Sequence, residues 1–199
     1  DLVPHPDISA TRRALADDDE RLVLLVGRLV YEKGFQDALE ALAGPDGVIA
    51  RLGKVRYVIA GSGTHEWELK AQAQRLGISG DGTFMGWIDD VVLHSLYRAC
   101  DVIVVPSRFE PFGLVALEAM ASGMVVIARG DPFASHLIEA QTAHIVTSPQ
   151  PAGFAAAIAS IMHSTPRAAA LAASARDFVQ HHRLASSYVG RVLEAYRGS

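Results

Sequence analysis

The chain has 199 residues, half of them hydrophobic and a fifth charged, with 18 basic against 22 acidic side chains and a net charge of −4. Length and apolar content fit one α/β domain, or at most two small ones, with a real core, and exclude a disordered or fibrous chain. The charge balance excludes a basic glove for nucleic acid or anionic membrane spread over the whole protein, and the one cysteine excludes a disulfide framework or a Cys-built zinc cage and fits a reducing compartment.

From residue 22 onward, short apolar runs alternate with helical spacing. Residues 22–26 (LVLLV) read as a strand buried on both faces, 35–43 as a helix closed by the turn Gly44-Pro45-Asp46-Gly47, and 55–60 as a second strand ending in Gly61-Ser62-Gly63. A helix over 64–76 follows, with Thr64 as its expected N-cap, then a short strand at 82–85 and a helix capped by Asp89 or Asp90 that ends near Cys100. Residues 102–105 (VIVV) form a fourth strand stopped by Pro106, 113–122 a helix, 124–128 a fifth strand and 143–147 a sixth. Beyond Pro151 come alanine-rich helices near 153–163, 166–181 and 184–196. The alternation predicts a Rossmann-like, doubly wound parallel sheet of about six strands with helices on both faces and extra C-terminal helices, all within one domain over 1–199. The longest charge-free stretch, 140–166, is broken by Pro149 and Pro151, so no bilayer-length apolar helix is expected, and the polar opening 1–7 carries no signal-peptide pattern. A soluble, cytoplasmic protein is the expectation.

Ligands of such sheets bind at the carboxyl ends of the strands. After the first strand come Gly27 and Arg28, then Lys33 and Gly34 at a helix mouth. Cations there oppose the helix dipole unless a phosphate joins them; otherwise Arg28 pairs with a carboxylate and Lys33 lies in solvent beside Glu32. Gly61 and Gly63 open only a partial dinucleotide fingerprint, since Glu66 stands where a third glycine belongs, and a tight turn explains them as well. After the fourth strand, residues 106–120 (PSRFEPFGLVALEAM) place Glu110 in a loop, Gly113 at a helix start and Glu118 as that helix's only charge. Glu118 needs a partner, either sugar hydroxyls or an arginine such as Arg108 or Arg129. It lies about 7 Å further along the helix axis than Gly113, far enough for two carboxylates to hold opposite ends of an extended ligand. Asp17-Asp18-Asp19 precedes a strand and reads as a solvated acidic turn, so no metal site is expected there.

These residues resemble a known family. The run EPFGLVALEAM, with seven residues between Glu110 and Glu118, is similar to the signature of retaining nucleotide-sugar glycosyltransferases of the GT-B fold, the group of glycogen synthase and sucrose synthase. Residues 26–34 (VGRLVYEKG), 60–63 (AGSG), 84–86 and 97–107 (YRACDVIVVPS) agree in order and spacing. The resemblance implies that Arg28 and Lys33 neutralise the diphosphate leaving group, that Glu110 holds hydroxyls of the donor sugar, and that Glu118 holds the ribose. It also implies that the N–H groups of Phe112, Gly113 and Leu114 meet sugar and phosphate, that Met85 to Ile88 border the base, and that Gly27, Gly61 and Gly63 line the cleft. The implied donor is a UDP- or ADP-sugar, most like a glucose donor for an α-glucan, with no obligatory cofactor and no nucleic-acid partner. GT-B enzymes resemble two facing domains; this chain corresponds to the donor half, and the N-terminal acceptor domain is expected outside it. The sequence departs from the family at 129–136 (RGDPFASH), 140–143 (AQTA) and 4–7 (PHPD). The first departure supports an alternative, a catalytically degenerate nucleotide-binding or assembly module of the same fold.

Overall fold

A computed structural model describes residues 7–110, 112–130, 141–148 and 150–182. Six strands, β1 (Arg21–Val26), β2 (Val55–Ala60), β3 (Gly82–Gly86), β4 (Val102–Val105), β5 (Val125–Arg129) and β6 (His144–Val146), form one sheet in the order β3-β2-β1-β4-β5-β6. Every pairing is parallel. The helices are α1 (Ile8–Leu15), α2 (Phe35–Leu42), α3 (Val48–Leu52), α4 (Glu66–Arg75), α5 (Asp90–Ala99), α6 (Leu114–Ala121), α7 (Pro151–His163) and α8 (Thr165–His182). This is the doubly wound, Rossmann-like architecture expected from the alternation of elements.

The apolar strands are continuous because both faces are covered, so neighbouring residues enter opposite cores. Val23, Leu25, Val102, Val104, Val125 and Ile127 join one core with residues of α2, α3, α4 and α7. Their neighbours Leu22, Leu24, Ile103, Val105, Val126 and Ala128 join the other, with residues of α5, α6 and α8. The period-two alternation of a strand thus divides one apolar run between two cores.

Specific contacts settle three of the element ends. Helix α4 starts at Glu66, because the His65 N–H is drawn to the Leu29 carbonyl at 2.8 Å; Thr64 is not its cap. Strand β5 is shifted one residue along: Gly123 (φ +77°) and Met124 close α6 by bonding to Met120 and Ala119, which leaves Arg129 to pair with Val146. Asp89, not Asp90, caps α5, accepting from the Val92 N–H at 2.9 Å. Helices α1 and α3 were not expected. The helix expected over 184–196 lies outside the described residues, as do 4–6 and 131–140.

The strand order reverses between β1 and β4. All six residues of β1 pair with β2, but the register with β4 holds only Val23–Val102 and Leu24–Ile103. The loops leaving β1 and β4 part from there, and the crevice between them is where a ligand fits.

Candidate active site at the strand-order switch

Two glycine positions shape the floor of the crevice. Gly61 (φ +137°) packs onto the loop after β1 so closely that a Cβ there would lie 1.9 Å from the Gly27 carbonyl oxygen. At Gly34 (φ +69°), which begins α2, a Cβ would lie 2.3 Å from the Pro106 carbonyl oxygen. Only glycine permits both the left-handed backbone and these contacts. The loops are tied further by the Arg108 N–H bonded to the Glu32 carbonyl at 2.8 Å.

Lys33, from a single 3-10 turn (Tyr31–Lys33), and Glu110, from the loop after β4, meet at the switch. The ammonium donates to Glu110 Oε2 at 2.7 Å. Both side chains are largely out of water, at 19% and 11% exposure, so this ion pair is far less screened than a surface pair. Ser107 Oγ donates to the same oxygen at 3.1 Å, and the Gly113 N–H to Oε1 at 3.1 Å. Burial pushes the Glu110 carboxyl upward, but the Lys33 hydrogen bond and charge, with Gly113 and Ser107, outweigh it and hold the group below its ordinary value. Lys33 therefore does not lie in solvent beside Glu32.

Arg28 is exposed, and the pairing with a carboxylate that sequence alone allowed is not found among the described residues. With Gly27, Gly61, Ser62, Ile88 and Trp87 it lines a cleft of about 200 Å³. Met85 is half-buried against the second core and does not line this cleft. Gly63 lies in the same turn as Ser62, whose carbonyl accepts from the Leu29 N–H at 2.9 Å. Phe112 and Leu114 flank Gly113 at the mouth of α6 with their side chains exposed at 76% and 62%, an apolar rim beside the charged pair. The Gly113 N–H, expected to face a ligand, is already engaged by Glu110.

Glu118, in the second turn of α6, is exposed. Its partner is neither of the arginines considered from sequence but Tyr97, whose hydroxyl donates to Oε2 at 3.0 Å. The arginines are held elsewhere, by a residue that sequence reasoning missed. Asp37, in the first turn of α2, binds Arg108 through Oδ1 at 2.8 Å and Arg129 through Oδ2 at 2.5 Å. Arg129 also donates to the Pro106 carbonyl at 3.1 Å, and Arg108 to the Tyr31 hydroxyl at 2.6 Å. One carboxylate thus fastens the loop after β4 and the end of β5 to α2. No sequence signal singles out Asp37: its two arginines reach it only through the strand order, which puts β1, β4 and β5 side by side.

The arrangement suits a dianion flanked by hydroxyls: an exposed guanidinium, a shielded ammonium, a helix mouth and two carboxylates at different depths. Asp19, by contrast, pairs with Lys54 on the exposed surface, as the solvated acidic turn required. Among the described residues no three His, Cys, Asp or Glu converge on a metal position, and no helix is long and apolar enough to cross a membrane.

A sequence model of the family described as glycosyl transferases group 1 matches residues 7–178. Glycogen synthase of Mycobacterium tuberculosis is 36% identical over 160 residues, which is 78% of this chain and 37% of that protein. Phosphatidyl-myo-inositol mannosyltransferase of Mycolicibacterium smegmatis is 32% identical over 183 residues, 90% of this chain and 46% of its own length. Among solved structures, Anabaena HepE in complex with UDP-glucose aligns with a TM-score of 0.82 at 25% identity, over 97% of this chain and 53% of that one. The chain spans less than half the length of these curated relatives and about half of that solved chain.

Proposed function

The chain belongs to the group 1 glycosyltransferases, and from that premise we propose that it is the donor-binding half of an enzyme transferring a hexosyl unit, glucose, from UDP- or ADP-glucose to an α-glucan acceptor with retention of configuration. The observation that carries this reading is the shielded Lys33–Glu110 pair at the strand-order switch, with Arg28, exposed on the same loop after β1, lining the cleft. Support for a nucleotide sugar comes from HepE, which holds UDP-glucose, and for a glucan from the likeness to glycogen synthase. The acceptor half is assigned to sequence outside this chain. A cytoplasmic location goes with this reading: the lone thiol, Cys100, is half-buried, and its apolar surroundings push it up to about 12, so it stays protonated and unreactive.

Arg28 and Lys33 face the diphosphate, Glu110 takes hydroxyls of the sugar, and Glu118 takes the ribose. Lys33 need not abandon Glu110 to do this. An ammonium has three hydrogens, so it can hold the carboxylate and a phosphate oxygen together. The Lys33–Glu110 bond then aims the cation, and charge growing on the departing diphosphate meets a donor already in place. The apolar rim of Phe112 and Leu114 borders the space where the acceptor half must close and exclude water.

Because protein cations and a helix mouth face the diphosphate, no divalent ion is required for binding. Calorimetric titration of UDP and of ADP into the chain is expected to give a saturable heat for one of them, unchanged by EDTA. No heat from either at millimolar concentration overturns the donor assignment, and binding that collapses with chelator overturns the metal-free reading.

A further inference from the structure

We infer that Tyr97 is a positioning residue that presents the Glu118 carboxylate to the ribose of the nucleotide, so that recognition of the ribose hydroxyls runs through a buried phenol. The inference rests on the proposed donor site. Its basis is the geometry between α5 and α6. Tyr97 is 1% exposed, its ring belongs to the second core, and it meets His94 edge to face at a centroid distance of 6.3 Å. The ring therefore has no freedom to follow a ligand. Its hydroxyl lies 3.0 Å from Glu118 Oε2. Burial, reinforced by the Glu118 charge, keeps the phenol protonated well beyond neutral pH, so Tyr97 acts as the donor and Glu118 as the acceptor.

Glu118 itself is exposed on α6, and a free glutamate on a helix surface samples several rotamers that a ligand must freeze. The phenol does this beforehand. One carboxylate oxygen is fixed to the core, while Oε1 has no partner among the described residues and remains an acceptor. A carboxylate held by one oxygen suits a pair of adjacent hydroxyls, which need an acceptor in a set place. A hydrogen bond that merely tied α5 to α6 would leave nucleotide discrimination untouched, which separates the two roles.

The test compares UDP and ADP, each with its 2′,3′-dideoxy counterpart, by calorimetry on the unaltered chain, Tyr97→Phe and Glu118→Gln. Phenylalanine keeps the ring and removes only the hydroxyl. Tyr97→Phe is expected to weaken the ribose nucleotide about five- to tenfold, the scale of freezing one freed glutamate side chain on binding, and to leave the dideoxy nucleotide unchanged. Equal loss for both nucleotides, or no loss for either, overturns the inference. Glu118→Gln isolates the underlying reading. If it discriminates ribose from dideoxyribose and Tyr97→Phe does not, only the role of Tyr97 falls. If Glu118→Gln does not discriminate, or the unaltered chain binds neither nucleotide, the ribose assignment falls and Tyr97 with it.

Discussion

Arg28→Ala or Lys33→Ala, made in the full-length enzyme, is expected to raise the transfer barrier by roughly 2.7–4 kcal/mol, about a hundred- to a thousandfold in kcat. In the proposed transfer the sugar becomes cationic as the diphosphate leaves, and only interactions that strengthen with that charge separation lower the barrier. The two substitutions differ in their structural cost. Arg28 is exposed without a bonded partner among the described residues, so its loss leaves stability near that of the native chain. Lys33 neutralises Glu110, and its loss takes the one cation shown bonded to that carboxylate while the Ser107 and Gly113 hydrogen bonds stay. Steady-state kinetics with donor varied and acceptor saturating is the deciding measurement. A rise in donor KM with kcat intact would reduce both cations to ordinary binding residues.

Glu110→Ala is expected to be the most destabilising single change in the site. It removes the acceptor of Lys33, Ser107 and the Gly113 N–H together. Lys33, 19% exposed, is then a shielded cation without its carboxylate. Breaking such a pair costs about 3 kcal/mol, the lower end of the range for buried pairs because some water reaches this one. For a chain of this size that is a fall of about 6–12 °C in Tm. The loss has a pH signature. Glu110 titrates below its ordinary value of 4.5 in the folded protein, so on acidification the unfolded chain takes up its proton first. The stabilisation is complete above the unfolded value and disappears as pH falls through the folded one. Urea denaturation should find the gap between native protein and Glu110→Ala constant from about pH 7 to 5 and shrinking below about 4.5. A gap that widens in acid contradicts the assignment of Glu110 as the charged partner.

The order of elements from β1 to β6 was legible because a strand covered on both faces must be apolar at every residue, and runs such as LVLLV and VIVV have no other use in so short a length. Helix α1 was not legible because it buries none of its own residues. It is held by Asp7 at its start and by Arg12, which donates to Ala99 and Glu20 carbonyls at 2.7 and 2.8 Å and pairs with Asp101. Ala99 and Asp101 are distant in sequence, and none of these contacts leaves a periodic trace. Helix α3 is five residues long and sits directly behind the turn at Gly44–Gly47, too short for a pattern to register. In the site, types and spacing located the cations and carboxylates, but spacing does not assign pairs. Lys33 with Glu110, Tyr97 with Glu118, and Asp37 with two arginines depend on which strand ends lie side by side.

Both tryptophans of the chain lie on the outside, Trp67 at 76% and Trp87 at 77% exposure. With both indoles largely in water when folded, intrinsic fluorescence should move little when the chain unfolds, and the urea transitions above are better followed by far-ultraviolet dichroism. Trp87 nevertheless stands at the lip of the cleft with Arg28 and Ile88. A signal blind to unfolding is then free to report something else: quenching on addition of nucleotide would follow occupancy of the crevice, with Trp67 as a constant background.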